Sequence, residues 1–193
     1  MNKIINKIIT EDLSGVNITA ITRGNCKIML YEELLKYNDI IDAIGSTGNL
    51  VLLFPTVKDV QNSGHWVSIL YKKELNLLEH FDSYALTWRQ ERGYSSNEYV
   101  KEHLLGNLLN KAMASGVKVE CNTVRLQKMA NKINTCGRWC ATRIRFSYLS
   151  NTEFARLFVN QQQTPDQIIT MLTMLSITDD VKYEEEILKD TKK

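Results

Sequence analysis

A chain of 193 residues with a net charge of +2 is long enough for one domain with a sizeable core. Its nearly balanced acids and bases remove the electrostatic case for strong binding to nucleic acid or an anionic membrane, and no apolar run approaches the roughly 18 residues of a membrane span. Four cysteines, Cys26, Cys121, Cys136 and Cys140, in a chain read as lacking a signal peptide, point to reduced thiols in an intracellular compartment and not to a disulfide framework.

Along the chain, "MNKIINKII" pairs Ile4/Ile5 with Ile8/Ile9 at helical spacing. Residues 1–12 therefore read as a short amphipathic helix, packed on its own domain or set against a membrane surface or a partner groove. "KIMLYEELLKYNDIIDAIG" mixes three and four spacings and closes on Gly45, which reads as a second helical region with a glycine cap. "NLVLLFPT" is a continuous apolar run ended by Pro55, the pattern of a strand buried on both faces. "HWVSILYKKELNLLEHFDSY" shows period-two runs on either side of "KKELN", which predicts a β-hairpin with strands near 65–72 and 77–82. A helix is expected over 95–116, with a Ser/Asn start and Gly116 at its end, followed by the strand-like "VKVECNTVRL". "CGRWCATRIRFSYL" reads as a helix capped by Thr135, with Trp139, Cys140, Ile144 and Tyr148 along one side. "TEFARLFVNQQ" and "TPDQIITMLTML" read as two more helices, the latter opened by Thr164, Pro165 and Asp166 as N-cap, first-turn proline and dipole-matched acid. A charged tail over 181–193 closes a single domain spanning 1–193. Strands in the middle and helices at both ends give an α+β class, a central mostly antiparallel sheet flanked by helices.

Chemistry concentrates at "NTCGRWC". A helix N-terminus favours a thiolate through its dipole and free N–H groups, and Cys136 is placed there, with Gly137 allowing close backbone approach. The same N–H groups suit the oxygen of a tetrahedral intermediate. The bland alternative is a small buried hydrophobe. A nucleophilic thiol also wants an imidazole and a group that orients it. His103 reads as a solvated residue in mid-helix and His80 lies inside a strand, whereas His65 opens a strand after a glycine in "SGHW". Asp82, 17 residues later in "FDSY", comes about opposite His65 once the hairpin reverses; its alternative is a turn-forming acid. Gln127, nine residues before Cys136, offers an uncharged amide to an oxyanion, or is a loop glutamine.

"GHW", "FDSY", a glutamine and "CGRWC", in that order over roughly residues 30–150, resemble the adenovirus-protease and ubiquitin-like-protease (Ulp1-type) superfamily of cysteine peptidases. The fit is best to the viral maturation branch found in adenoviruses, virophages and large DNA viruses. The resemblance implies a permuted papain-like fold with His65 as general base, Asp82 as orienting acid, Cys136 as nucleophile, Gln127 as oxyanion donor and Trp66 as an aromatic beside the histidine. Two features depart from the family pattern. Gln127 lies farther from the cysteine than is usual, which brings in Asn131 and Asn134 as substitute donors, and Ala85 stands where the family often has glycine.

The resemblance further implies peptide hydrolysis at small, glycine-containing sites through an acyl-enzyme, with no metal and no required cofactor, along a channel for which Trp66 and Trp139 are wall or packing residues; Trp139, on the apolar side of its helix, reads as core. Protein substrates, above all viral precursors, in the virion and the host cytoplasm, and a monomeric enzyme without a membrane partner are the corresponding expectations. Adenovirus relatives are stimulated by DNA and by a peptide joined through a cysteine, but the balanced charge here argues for weak DNA contact at most. The alternative within the same chemistry is an isopeptidase removing ubiquitin or a ubiquitin-like modifier. From another class comes a binding module in which Cys136 and Cys140 hold zinc with a histidine, but no second pair stands at zinc-finger spacing.

Overall fold

A computed structural model of the chain describes residues 2–55, 64–90 and 103–176. Its elements in order are α1 (Asn2–Ile8), α2 (Gly15–Thr22), β1 (Lys27–Leu30), a tight 3-10 segment (Tyr31–Lys36), α3 (Ile40–Ile44), β2 (Asn49–Pro55), β3 (Gly64–Lys72), β4 (Leu77–Phe81), α4 (Leu104–Ala114), β5 (Lys118–Cys121), α5 (Cys136–Arg145) and α6 (Asn151–Arg156). A last helix, α7, spans 165–176.

The five strands form one sheet in the order β1-β2-β3-β4-β5. The three central strands are antiparallel, as the sequence leads one to expect, and β1 and β5 add a parallel strand at each edge. The result is a mixed sheet in an α+β fold. β2 lies on both cores at once, which is why its sequence is apolar without alternation. Leu50, Leu52 and Phe54 meet Ile40, Ile44, Leu105 and Leu109 on one face, while Val51 and Leu53 meet Ile18, Ile21, Cys140 and Ile144 on the other. Burial of each such side chain is worth roughly 1.5–3 kcal/mol. A third cluster, built on Phe81, Trp139, Phe154 and Phe158, joins the sheet to α5, α6 and α7.

Helix α5 is buried at every residue from Cys136 to Ile144, including two arginines. Arg143 donates to Glu79 at 2.6 Å, to Asn151 at 3.1 Å and to the carbonyls of Phe146 and Leu149 at 2.8 and 2.9 Å. Lys72 closes on the same Glu79 carboxylate at 2.9 Å. Burial pushes the Arg143 guanidinium below its ordinary value, and the charge and hydrogen bond of Glu79 oppose that shift. Removing one partner of such a buried pair costs about 3–5 kcal/mol. The pair therefore locks the C-terminal half of α5 to β4.

The expected helix over 27–45 is three elements. Its first four residues form β1, whose partners Leu50 to Leu53 take up its backbone groups, and only 40–44 is α-helical before the Gly45 cap (φ 76). α2 was not anticipated. Glycine, valine and threonine are weak helix formers, but a reciprocal cap between Ser14 and Asn17 starts the helix and Arg23, with left-handed backbone, ends it. The hairpin forms as predicted, and Asn76 (φ 46) supplies the left-handed turn residue that the sequence did not advertise as Asn-Gly. The strand in "VKVECNTVRL" stops at Cys121, and the helix after Ser150 runs only to Arg156. Tyr148 lies past the end of α5 and is 74% exposed, not on its apolar side. His103 precedes α4 with a left-handed backbone (φ 60) instead of lying in mid-helix. The Ser/Asn start expected for that helix and the tail over 181–193 lie outside the described residues.

Gly64 faces Pro55 across the β2–β3 ladder, and a Cβ there would sit 2.0 Å from the Phe54 carbonyl oxygen. Gly64→Ala is expected to push β3 off β2 beside His65 and to destabilise the fold by about 1–3 kcal/mol, the usual cost of overpacking. Urea denaturation of the two proteins measures it.

Candidate active site

Strand β3 extends past the end of β4. Ser68 pairs with Phe81, so continuing that register sets Asp82 across from Val67, two residues from His65. The carboxylate crosses this diagonal: Asp82 Oδ2 lies 2.8 Å from His65 Nε2. Asp82 is fully buried and held on every side. Its Oδ1 accepts from the Tyr84 N–H at 2.5 Å, its own N–H donates to Asn122 Oδ1 at 2.8 Å, and its carbonyl accepts from Asn122 Nδ2 at 2.7 Å. The Asn122 amide thus continues the sheet ladder where the strand ends. The turn closes with the Ala85 N–H on the Asp82 carbonyl at 2.9 Å.

His65 is 7% exposed and lies between two groups. Its Nε2 is committed to Asp82, which leaves Nδ1 for the hydrogen bond it makes with the Cys136 side chain. The Tyr84 ring stacks on the imidazole with centroids 4.9 Å apart. Burial pushes the His65 pKa down. Asp82, by charge and hydrogen bond, and Cys136, in the same two ways, push it up and prevail, so the value stands well above the ordinary 6.5. A raised imidazole stabilises the fold below its unfolded value, and that contribution is lost as the pH rises through the folded value.

Cys136 is the first residue of α5 and is 7% exposed. Thr135 occupies the cap position but does not cap: its hydroxyl goes to Asp166 at 2.5 Å, so the first-turn N–H groups of α5 receive no capping oxygen from it. Gly137 is required for packing. A Cβ there would sit 3.1 to 3.4 Å from Leu13, Trp66 and Ile18. Trp66 is buried beneath this helix start and donates its indole N–H to the Leu13 carbonyl at 3.0 Å.

Of the three candidate oxyanion amides, Gln127 is the buried one, at 1% exposure. Its Oε1 accepts from the Ser83 hydroxyl at 2.7 Å, and its Nε2 donates to the Tyr84 hydroxyl and to the Ile133 carbonyl, both at 3.0 Å. The second of these bonds folds "QKMANKIN" back on itself and absorbs the long spacing to Cys136. Asn134 spends its amide on the Thr10 carbonyl at 2.9 Å, and Asn131 is exposed.

The remaining cysteines divide by surroundings. Cys140 is fully buried in the α2–α5 core, and Cys26 is buried beside Thr22, where loss of solvent pushes its thiol up against the opposing Thr22 hydrogen bond. Cys121 lies 3.7 Å from His80 Nδ1 across the β4–β5 pair, a second thiol and imidazole in contact, but at a strand end and not at a helix start. Trp139 is core, with no exposure, packed edge-on against Phe154 and Phe158. Among the described residues no group of three His, Cys, Asp or Glu is arranged to hold a metal ion. Sequence reasoning missed Tyr84, Asn122 and Asp166 as supports of this cluster. The "FDSY" motif held a signal for Tyr84, and for Asn122 the signal is a polar residue where the alternation of "VKVECNTVRL" ends.

In a Cys136→Ala background, NMR titration is expected to find the His65 imidazole still protonated above pH 6.5; adding Asp82→Asn leaves burial unopposed and moves the value below 6.5. Ala85 has φ 59, a conformation that costs an L-residue roughly 1–2 kcal/mol. Ala85→Gly is therefore expected to stabilise the protein by about 0.5–1 kcal/mol after glycine's larger unfolded-state entropy is deducted, read from the urea midpoint.

No family model matches the chain. "Uncharacterized protein V9" of Sputnik virophage is 35% identical over 178 residues, covering 84% of this chain and 94% of that protein. Among solved structures, the ASFV pS273R protease aligns with a TM-score of 0.50 at 15% identity, over 85% of this chain and 67% of that one. ChlaDub1 from Chlamydia trachomatis aligns more loosely, with a TM-score of 0.43 at 14% identity over 91% of this chain and 75% of that one. The chain belongs to the family of the Sputnik virophage protein V9, on the Ulp1-like cysteine-protease fold that the ASFV pS273R protease also adopts.

Proposed function

We propose that the chain is a cysteine endopeptidase of the viral maturation type, cutting precursor proteins at small, glycine-containing sites. The observation that carries this reading is the buried His65 imidazole held between the Asp82 carboxylate, at 2.8 Å, and the Cys136 thiol at a helix start. The membership of a virophage protein family and the fold of a viral protease support it.

In this mechanism the Cys136 proton resides on His65, where Asp82 and the cysteine sulfur favour the imidazolium. The thiolate attacks the scissile carbonyl carbon, and the developing oxyanion is met by the first-turn N–H groups of α5 and by the Gln127 amide, which exchanges one of its present acceptors for the substrate. His65 then gives its proton to the leaving amine. Water, activated by the same imidazole, releases the acid from the acyl-enzyme. Asp82 stays ionised throughout and fixes the ring. No metal enters any step.

A groove lined by Leu13, Val16, Ile28, Leu53 and Trp66, together with Asp12 and Glu33, adjoins the start of α5 through Trp66 and Leu13. An extended peptide with small side chains next to the scissile bond suits such a groove.

A thiol-directed, mechanism-based probe tests the assignment. Labelling is expected at Cys136, lost in Cys136→Ala and kept in variants of Cys26, Cys121 and Cys140; equal labelling of all four cysteines, or preferential labelling of Cys121, overturns it. Turnover of a glycine-containing precursor peptide is expected to fall roughly 10³-fold or more in Cys136→Ala and His65→Ala. EDTA should leave it unchanged, and added duplex DNA should raise it little. Cleavage of a diglycine-ended ubiquitin-like modifier with no cleavage of the peptide would instead establish the isopeptidase.

A further inference from the structure

One buried carboxylate outside the groups given chemical roles above joins the two halves of the oxyanion site. Asp166, in the first turn of α7, is 2% exposed. Its Oδ1 accepts from the hydroxyl of Thr135, the residue before Cys136, at 2.5 Å, and from the indole N–H of Trp139, one turn along α5, at 3.2 Å. Its Oδ2 accepts from the backbone N–H of Lys128, the residue after Gln127, at 2.9 Å. One oxygen thus holds the nucleophile helix and the other holds the glutamine loop.

We propose that Asp166 is a positioning residue that sets the separation between the Gln127 amide and the start of α5, and with it the geometry in which the oxyanion is bound; the proposal rests on the cysteine-peptidase reading. A carboxylate is planar and rigid, so the two elements bonded to its two oxygens cannot shift independently. Asp166 is itself anchored. Thr164 and Gln167 cap α7 reciprocally, the Thr170 hydroxyl donates to the Asp166 carbonyl at 2.7 Å, and Thr173, farther along the helix, receives Arg138 of α5 at 2.9 Å. The Thr135 hydroxyl is also drawn away from the N–H groups of α5, which leaves those donors to the substrate. An acid in the first turn of a helix is ordinarily credited to the helix dipole. Here both oxygens are taken by other elements: two of the three donors, Thr135 and Lys128, flank the residues assigned to the oxyanion site, and the third, Trp139, lies one turn along α5.

The residue's chemistry makes the test specific. Asparagine has one acceptor oxygen and one NH₂, so Asp166→Asn satisfies either the Thr135 and Trp139 side or the Lys128 side, but not both. Thr135→Val cuts only the link beside the nucleophile, and Thr135→Ser keeps it. Two rates are measured on the full chain: turnover of a glycine-containing peptide, which passes through an oxyanion, and alkylation of Cys136 by iodoacetamide, which does not. Loss of one oxyanion donor typically lowers kcat about 10²–10³-fold, and a misplaced one is expected to lower it about 10–100-fold in Asp166→Asn. KM should stay within about threefold and the alkylation rate within about twofold, as for an interaction made only in the transition state. Thr135→Val should fall in the same sense and Thr135→Ser should hold near wild type. Wild-type kcat in both Asp166→Asn and Thr135→Val, or alkylation falling in step with turnover, overturns the role of Asp166 while leaving the peptidase intact. A wild-type protein that neither cleaves peptide nor alkylates preferentially at Cys136 overturns the peptidase reading, and this proposal with it.

Discussion

The burial of α5 on all sides is the constraint from which the rest of the site follows. A helix that meets protein around its whole circumference can keep charged residues only where each is answered, and the answers fix where the helix sits. Arg143 is met by Glu79, Asn151 and two carbonyls; Arg138 reaches Thr173 at 2.9 Å and the Ile8 carbonyl at 3.4 Å. Its guanidinium is pushed down by burial and drawn back up by Glu11. Rotating α5 by one residue would strand both guanidinium groups in an apolar interior. These polar contacts therefore do for position what the apolar contacts with Ile18, Val51 and Leu70 do for energy. Cys136 arrives opposite His65 because the far end of its helix has no alternative seat.

At the other side of the site the constraint is the unequal length of two strands. β3 continues beyond the end of β4, so His65 extends from paired sheet into the space that the turn after Phe81 must fill. The turn is tightly bonded. Asp82 offers one oxygen to a backbone N–H and the other to the imidazole, and Asn122 imitates the missing strand on its far edge. A carboxylate immobilised in this way loses little entropy when it orients the ring. Its charge, close to a ring already removed from solvent, is the largest of the effects that, with its hydrogen bond and the Cys136 side chain, turn the effect of burial on His65 around.

How much of this was legible in the sequence varies with the range over which each signal acts. The hairpin, β2 and the glycine cap at residue 45 are local, and their patterns predicted them. The composite stretch 27–45 defeated periodicity because Ile28 and Met29 match a helical spacing equally well, and only pairing with Leu50 to Leu53 makes them strand. In the candidate site, His65, Asp82 and Cys136 were marked by residue type and by short motifs, and the structure brings these side chains together. Gln127 was marked too, but its partners Ser83, Tyr84 and Ile133 were not. Thr135 and Asp166 show where reading from spacing ends. Each carried a correct local description, cap position and first-turn acid, yet the hydroxyl and the carboxylate meet each other across 31 residues of chain instead of serving their own helices. A sequence pattern names the ordinary partner of a polar group, and only the folded chain reveals a stronger competitor.

The same competition acts at the first helix. Its paired isoleucines suit a membrane, a partner or the domain itself, and Ile5 and Ile9 are buried in the fold while Ile4 is 60% exposed. More telling is the stretch that follows, where four backbone carbonyls are taken by groups flanking Cys136. Ile8 receives Arg138, Ile9 receives the Asn134 N–H, Thr10 receives the Asn134 side-chain amide, and Leu13 receives the Trp66 indole. The segment leaves α1 through a turn, with the Thr10 N–H on the Lys7 carbonyl and the Glu11 N–H on the Ile8 carbonyl, and then lies against the loop and helix it binds. The dependence runs both ways, because the buried Trp66 indole would otherwise be a donor without an acceptor. Residues 8–13 therefore belong to the surroundings of Cys136, and the wall that Trp66 presents to the neighbouring groove is held upright by the Leu13 carbonyl.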